Sequence, residues 1–193
     1  MFPSSSDYKD YSKDYKDIVE WVFSDVVRYG LDLANTVPRM PESEPRIPSE
    51  ELLPLSSRAV LAPKNVVVND FNEEVLSMFD PTTVIDYVST DKIQGATDED
   101  YAQFPIEFLN SLELSGLPPH TLRLCPGAVV ILLRNLNSEM GLCNGVRGVV
   151  VQCTPRCLNL LILTGKCAGQ RHFIPRIPLS SQVAELPFTV LSQ

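Results

Sequence analysis

The residue groups that support most enzyme chemistry are incomplete in this chain. Gly165-Lys166 resembles the end of a phosphate-binding loop, but that loop needs a glycine five residues before Gly165 and a serine or threonine after the lysine. Leu160 and Cys167 occupy those positions, so a hairpin turn is the better interpretation. No G-x-S-x-G or H-E-x-x-H sequence occurs, and two histidines leave little material for a histidine-based triad. We therefore predict no catalytic residue in this chain.

Cysteine and histidine are also poorly spaced for a metal. A zinc site would use Cys153, Cys157, Cys167 and His172, yet the only close pair is spaced C-x3-C and the other two fall in separate predicted strands or turns. We predict no metal site and no cofactor. The five cysteines are an odd number and no secretory signal precedes them, which favours reduced thiols in an intracellular compartment.

Charge is divided unevenly along the 193 residues. The net charge is −8, but residues 1–115 hold 22 acidic and 9 basic side chains, whereas residues 116–193 hold 2 acidic and 7 basic ones. The second part therefore carries the field that attracts a polyanion. Seven cations over this length are a modest signal for nucleic acid. No apolar run approaches the roughly 20 residues needed to cross a bilayer, so we expect no membrane partner.

The N-terminal part alternates a helix with segments that cannot pack. Residues 1–16 repeat Asp-Tyr-Lys-Asp and offer nothing to bury, which predicts a disordered tail. Apolar residues recur at spacings of three and four over 17–34 and predict an amphipathic helix, with a capping box at Asp17 and Glu20 and an end near Gly30. Five prolines over 35–56 predict a linker.

Short α/β elements follow the linker. The apolar run at 57–63 predicts a buried strand, and the helical spacing from Val66 to Phe79 predicts a helix. A β-branched run over 83–89 predicts a second strand. The acidic sequence from Thr97 to Asp100 predicts an exposed loop, and 104–112 a short helix or turn. Strand followed by helix indicates half of an α/β unit.

After residue 116 the pattern becomes all-β. Four runs rich in apolar residues predict strands at 127–133, 148–151, 158–163 and 171–177. Asn144-Gly145 and the glycine-containing sequences at 164–166 and 168–170 predict turns between them. Short strands at this spacing favour a small barrel, because closure removes exposed strand edges. The fold class predicted is α/β plus a small all-β barrel.

Four consecutive motifs resemble one helicase family. They are FPIEFLNSL at 104–112, SGLPPHTLRL at 115–124, GAVVILLRNL at 127–136 and GLCNGVRGVV at 141–150. Flanking matches are RAVLAPKN at 58–65, VNDFN at 68–72, YVSTD at 87–91, LTGK at 163–166 and FIPRIPL at 173–179. The sequence closely resembles the C-terminal half of the petite-integration-frequency DNA helicases, especially the Helitron-transposon type.

The resemblance implies a fold and an activity. Members of that family are ATP-driven superfamily 1 motors that move 5′ to 3′ on single-stranded DNA, with two RecA-like domains. A small Src-homology-3-like barrel, called 2B, is inserted in the second RecA-like domain. Together with the patterns above, this divides the chain into a disordered tail over 1–16, an amphipathic helix over 17–34, a proline-rich linker over 35–56, a partial RecA-like segment over 57–103, the 2B barrel over 104–178 and a truncated return to the RecA-like domain over 179–193.

The sequence departs from the family where ATP would bind. The Walker A and Walker B sequences belong upstream of the second motor domain, where this chain has its tail and one helix, and the last motor motifs belong beyond Phe188. Lys64 also stands where the family has threonine. ATP and magnesium are therefore implied for the full-length family only, and we expect no ATPase activity from this chain alone.

Single-stranded DNA is the partner that the resemblance implies. The residues expected to bind it are Lys64, Asn65, Arg134, Asn135, Asn144, Arg147, Lys166 and Arg171. Cations attract the phosphate backbone, and His172 and Phe173 alternate with them in a pattern suited to base stacking. Each residue also has a simpler interpretation, because Asn144-Gly145 makes a turn, Lys64 and Asn65 cap a helix, and the cations line solvated strands.

Two function classes remain open from the sequence. The first is a helicase fragment, nuclear by resemblance, that binds single-stranded DNA weakly and is completed by other helicase domains. The second is a protein-interaction module or a non-functional transposon-derived remnant. The acidic part of the chain favours the second, because it repels a polyanion.

Overall fold

The computed structural model of the chain describes residues 14–36, 46–112, 117–182 and 189–192. The helices are α1 (Asp14–Thr36), α2 (Ser49–Ser56), α3 (Asn65–Ser77), α4 (Asp98–Gln103) and α5 (Ile106–Asn110). The strands are β1 (Ile85–Val88), β2 (Asp91–Ile93), β3 (Thr121–Leu124), β4 (Val129–Ile131), β5 (Arg147–Cys153), β6 (Cys157–Ile162), β7 (Arg171–Pro175), β8 (Leu179–Gln182) and β9 (Thr189–Ser192). Helices and strands together make a mixed α/β fold.

A four-stranded antiparallel sheet, in the order β4-β5-β6-β7, forms the centre of the described residues. All four strands predicted in this region are confirmed. Side chains alternate between the two faces, so that Val149 and Leu161 pack on one side while Val150 and Leu160 pack on the other. Both faces are apolar because both are covered. Within the described residues no ladder joins β4 to β7, so hydrogen bonds do not close this sheet into a barrel.

Helix α1 connects this sheet to the rest of the chain. Val26 packs with Val149 and Leu161 on the sheet, whereas its neighbour Val27 packs with Phe79 in a separate cluster. Adjacent residues point about 100° apart on a helix, so α1 presents one apolar edge to each cluster. The predicted amphipathic helix is confirmed.

The predicted ends of α1 are wrong. The helix begins at Asp14, so Asp17 lies inside it and does not cap it. Gly30 does not end the helix either. A Cβ built on Gly30 would lie 2.2 Å from the carbonyl oxygen of Gly127, so this glycine allows the helix to approach the loop before β4. Residues 1–13, most of the predicted tail, lie outside the described residues.

Part of the predicted linker is a helix. Helix α2 contains Pro54, which costs about 3 kcal/mol in a helix interior. Leu52 and Leu55 are fully buried against the four-stranded sheet, and burial of such side chains stabilises by about 1.5–3 kcal/mol each. Packing therefore offsets the cost of the proline. Residues 37–45 of the linker lie outside the described residues.

The strand predicted at 57–63 does not form. The segment is irregular, and Leu61 is 94% exposed. A strand needs a neighbour for its backbone groups, and none of the described strands runs beside this segment. The helix predicted next is confirmed as α3, which packs on α1. Among the described residues, no helix is both long and apolar enough to span a bilayer.

The remaining strands form two small antiparallel sheets. Strand β1, predicted from its β-branched residues, pairs with β3, and β9 lies between β2 and β8. The loop predicted at Thr97–Asp100 is wrong, because Thr97 caps α4 in a reciprocal capping box with Asp100. The short helix predicted within 104–112 is confirmed as α5.

Candidate nucleic-acid interface

Two connections meet at one end of the four-stranded sheet, which we call the loop end. They are the β4–β5 loop, residues 132–146, and the β6–β7 turn, residues 163–170. The backbone nitrogen of Leu163 donates to the carbonyl oxygen of Arg147 at 2.8 Å and joins the two. Six of the eight expected binding residues lie in or directly beside these connections: Arg134, Asn135, Asn144, Arg147, Lys166 and Arg171.

The two asparagines brace the β4–β5 loop. The side-chain oxygen of Asn135 accepts from the backbone nitrogen of Asn144 at 2.8 Å. Gly145 has φ +86° and donates from its backbone nitrogen to Leu132 at 2.8 Å. This confirms the turn predicted at Asn144-Gly145, since positive φ favours glycine. The Asn144 side chain itself is exposed.

Arg147 has a structural role that the sequence did not indicate. Its guanidinium donates to the carbonyl oxygens of Ser56, Leu55 and Arg58 at 2.8, 3.1 and 2.9 Å. The carbonyls of Leu55 and Ser56 lie at the C-terminus of α2, where helix carbonyls have no partner within the helix, and that of Arg58 lies two residues beyond the helix. Burial lowers the pKa of Arg147. The linker prediction hid this contact, because α2 was not expected to exist.

Arg134 and Arg171 flank the loop end from the two edge strands. Arg134 follows β4, is partly buried and donates to the carbonyl oxygen of Ser180 at 3.2 Å. Arg171 begins β7 and is also partly buried. Arg171 therefore stands on a strand, whereas Arg134 stands in the β4–β5 loop three residues after β4.

Lys166 projects from a turn that another segment holds in place. Arg46 donates to the carbonyl oxygen of Lys166 at 2.8 Å and to that of Ala168. The backbone nitrogen of Ile47 donates to Gly169 at 3.0 Å. Arg46 is thus a further cation at the loop end. Sequence analysis missed it because it lies in the segment predicted as a linker.

Lys64 and Asn65 are not part of this cluster. Lys64 precedes α3, Asn65 begins it, and both side chains are exposed. The Lys64 side chain makes no capping hydrogen bond. In the ranges that the structure describes, α3 contacts α1 and, through Glu73, Arg123. None of these contacts links α3 to the loop end.

Positive charge dominates the loop end. Five cations, Arg46, Arg134, Arg147, Lys166 and Arg171, face one acidic residue in the same segments, Glu139. Arg147 is committed to α2, and Arg46 and Arg134 also donate to backbone carbonyls, but all five side chains keep their positive charge. The geometry offers a cationic surface.

A family comparison agrees with this part of the chain. Residues 107–153 match the family model described as DNA helicase Pif1, 2B domain. Residues 107–153 are therefore similar to a Pif1-type 2B domain. The match contains α5 in part, β3, β4, the β4–β5 loop and β5, and so includes Arg134, Asn135, Asn144 and Arg147. The resemblance predicted from the motifs is confirmed.

Solved structures of Pif1 helicases are also similar to the chain. A structure of two coordinating Pif1 helicases unwinding forked double-stranded DNA is 15% identical, with 87% of this chain and 34% of that chain covered and a TM-score of 0.45. A Bacteroides Pif1 double mutant is 13% identical, with 98% and 38% covered and a TM-score of 0.45. Candida albicans Pif1 is 15% identical, with 93% and 41% covered and the same score.

The chain spans 34–41% of the length of these three structures. No curated protein matches the sequence. The relation to Pif1 helicases therefore rests on the 2B domain.

A second polar cluster lies between β1, β2 and β3. The buried carboxylate of Asp91 accepts from the Ser89 hydroxyl at 2.9 Å, and the Nδ1 atom of His120 lies 3.0 Å from it. Ser89 also contacts the same Nδ1 at 2.8 Å. A catalytic triad needs the serine and the carboxylate on opposite ring nitrogens. This cluster instead joins β1 and β2 to the start of β3.

The cysteines remain free thiols. All five are unpaired, and the described part of the chain contains no group of three or more ligands that could hold a metal. Burial raises the pKa of Cys125 to about 11 and also raises the pKa values of Cys153 and Cys167. These thiols stay protonated at neutral pH and are poor nucleophiles.

Proposed function

We propose that this chain binds single-stranded DNA weakly through the loop end of its 2B domain, as part of a superfamily 1 helicase that moves 5′ to 3′. The convergence of Arg46, Arg134, Lys166 and Arg171 on one end of the sheet carries the proposal. Cations spaced along a surface bind a phosphate backbone without reading its sequence. Because the matching family model is that of a DNA helicase, DNA is the polyanion that we expect to bind.

The expected residues contribute unequally in this proposal. Arg134, Lys166 and Arg171 supply charge, Asn135 and Asn144 hold the loop that carries Arg134, and Arg147 acts through α2. Lys64 and Asn65 form a separate contact at the start of α3, where backbone amides point outward. They are the weakest members of the set, because their element does not reach the loop end.

The domain boundaries are part of the proposal. We assign 57–103 and 179–193 to one RecA-like domain and 104–178 to a 2B domain of the Src-homology-3 type. Pairing of β2 with β9 supports an insertion, because it brings the segments before and after the 2B domain together. A Helitron-type origin and a nuclear location rest on the motifs quoted above.

We further propose that the chain has no ATPase activity alone and acts with the remaining helicase domains. Its 193 residues contain no phosphate-binding loop, and Gly165-Lys166 lies in the β6–β7 turn. Magnesium-dependent ATP hydrolysis by the purified chain would overturn this part.

Fluorescence anisotropy with a labelled single-stranded oligonucleotide tests the main proposal at about 50 and 200 mM salt, with duplex as the comparison. Binding should weaken with a log–log slope near −0.7 for each phosphate contacted. Arg134→Glu, Lys166→Glu and Arg171→Glu should each weaken it. Arg156→Glu is the matched control, because Arg156 is exposed in the turn at the opposite end of the sheet. Equal effects at both ends would contradict the proposal.

An interaction module is the second candidate. Helix α1 bears Trp21, 81% exposed, among the acidic residues Asp17, Glu20 and Asp25. An exposed aromatic ring with surrounding charge is typical of a protein-binding surface. A folded chain that binds no single strands even at low salt would favour this function.

A further inference from the structure

One row of side chains crosses the four-stranded sheet on the face that α1 and α2 cover. Gln152 of β5 pairs with Asn159 of β6, and Asn159 pairs with Phe173 of β7. Cross-strand partners point to the same face with Cβ atoms about 5 Å apart. Leu161, two residues from Asn159 along β6, identifies that face because it packs with Val26 of α1.

Asn159 is the anomalous member of this row. Its side chain is fully buried, yet neither its oxygen nor its nitrogen has a hydrogen-bond partner among the residues that the structure describes. Gln152, the adjacent amide, therefore does not satisfy it. Burying such a group unpaired costs about 1–3 kcal/mol, and nearly all buried polar groups in native proteins have a partner. Leucine would fill this position in the apolar run from Leu158 to Leu163 without that cost.

Phe173 is the cross-strand neighbour of Asn159 on the other side. Strand β7 is an edge of its sheet in the described residues, and Phe173 is 45% exposed. A half-exposed ring on an edge strand can turn about its side-chain bonds without breaking the ladder. Arg171 lies two residues earlier on the same face of β7, about 7 Å along the strand, and belongs to the loop end.

We infer that Asn159 and Phe173 form a pocket for one unpaired nucleobase of the bound strand. The base stacks on Phe173, and its edge meets the Asn159 amide, which offers a donor and an acceptor side by side. Nucleobase edges present the complementary pair, and unstacked bases are recognised in this way. This inference rests on the proposed single-strand binding and adds a base contact to it.

The test separates base contacts from phosphate contacts. Anisotropy compares an oligothymidine with an oligonucleotide of the same length whose residues lack bases but keep every phosphate. The wild-type chain should bind the abasic strand at least fivefold more weakly, since stacking on an aromatic side chain is worth about 1–3 kcal/mol per base. Phe173→Ala should bind both strands alike, at the weaker affinity. Trp21→Ala, which removes an exposed ring on α1, should retain the wild-type difference.

Asn159→Leu gives a readout that a structural role would not produce. It should reduce the difference between oligonucleotides of different base composition while raising the midpoint of thermal unfolding, because an unpaired buried amide is removed. A lower midpoint would mean that a buried water satisfies Asn159, and the pocket would be rejected. Should this variant not fold, Phe173→Ala decides alone.

The outcomes distinguish the two proposals. Wild-type binding that is equal for thymidine and abasic strands, or unchanged in Phe173→Ala, overturns the pocket and leaves phosphate binding standing. Absence of any single-strand binding by folded wild-type protein overturns the proposed function and the pocket with it.

Discussion

Arg147 at the start of β5 donates to the carbonyl oxygen of Ser56 at the end of α2, 2.8 Å away. This hydrogen bond, a second to Leu55 in the same helix end and a third to Arg58 just beyond it fasten α2 to the four-stranded sheet. A residue expected to contact DNA thus holds two elements of the fold together. Its loss should affect stability first and binding second.

Replacing Arg147 by methionine tests that order. The change keeps much of the side-chain volume but leaves three carbonyls without their donor, so the free energy of unfolding should fall by about 2–3 kcal/mol. Urea unfolding measures the change. Arg156→Met, at an exposed position, should stay within about 0.5 kcal/mol of wild type. Unchanged stability together with lost DNA binding would contradict the structural role.

The close approach of Gly30 to Gly127 gives a second prediction. Alanine has the better helix propensity by about 1 kcal/mol, but its Cβ would lie 2.2 Å from a backbone oxygen that cannot rotate away. Overpacking of this kind costs about 1–3 kcal/mol, so Gly30→Ala should destabilise the chain in urea. Ser24→Ala, exposed in the same helix, is the control. A stabilised Gly30→Ala variant would mean that α1 does not pack against this loop.

Gly30 also shows which kind of structural feature the sequence does not reveal. The 3.6-residue period predicted α1, and the β-branched runs predicted β4 to β7, because periodicity records which side chains are buried. A glycine required by a contact almost 100 residues away leaves no local signal distinct from a helix end. Helix α2 was missed for a related reason: the prolines in and around it predicted a linker, and the burial of its two leucines depends on the distant sheet.

Sequence analysis likewise found some residues of the candidate site and missed others. Arg134, Lys166 and Arg171 were predicted from charge and turn positions, and an antiparallel meander brings such turns to one end. Arg46 was missed because its contacts are with backbone carbonyls about 120 residues away. The only sequence signal for Asn159 was a single polar residue within an apolar strand.

Asp91 carries a third prediction. Its buried carboxylate accepts from Ser89 and contacts His120, which joins the β1–β3 sheet to the β2–β9–β8 sheet. Asp91→Ala should lower the free energy of unfolding by about 2–3 kcal/mol and speed hydrogen exchange in β2 and β9. Asp86→Ala removes an exposed carboxylate on β1 and should have a small effect. Equal rates of hydrogen exchange in β2 and β9 of the two variants would show that Asp91 does not join the two sheets.

Alkaline pH should destabilise the chain through its buried thiols. Burial, with a smaller contribution from Cys153, raises the pKa of Cys125 from 9.0 to about 11, and burial also raises the pKa of Tyr87. Between pH 9 and about pH 11 the Cys125 thiol is deprotonated in the unfolded chain but stays protonated in the folded chain. Stability from this group is therefore complete below pH 9 and disappears as the pH rises to 11, a loss of about 2–3 kcal/mol.

Urea unfolding of wild type and Cys125→Ala from pH 7 to pH 11 measures this effect. The variant loses the packing of the buried sulfur, but its free energy of unfolding should fall less steeply above pH 9. Between pH 7 and 8 the difference between the two proteins should be constant, which serves as the internal control. Parallel curves across the whole range would show that Cys125 ionises as readily in the folded chain as in the unfolded one. The thiol would then not be sealed beneath α1 and Phe79.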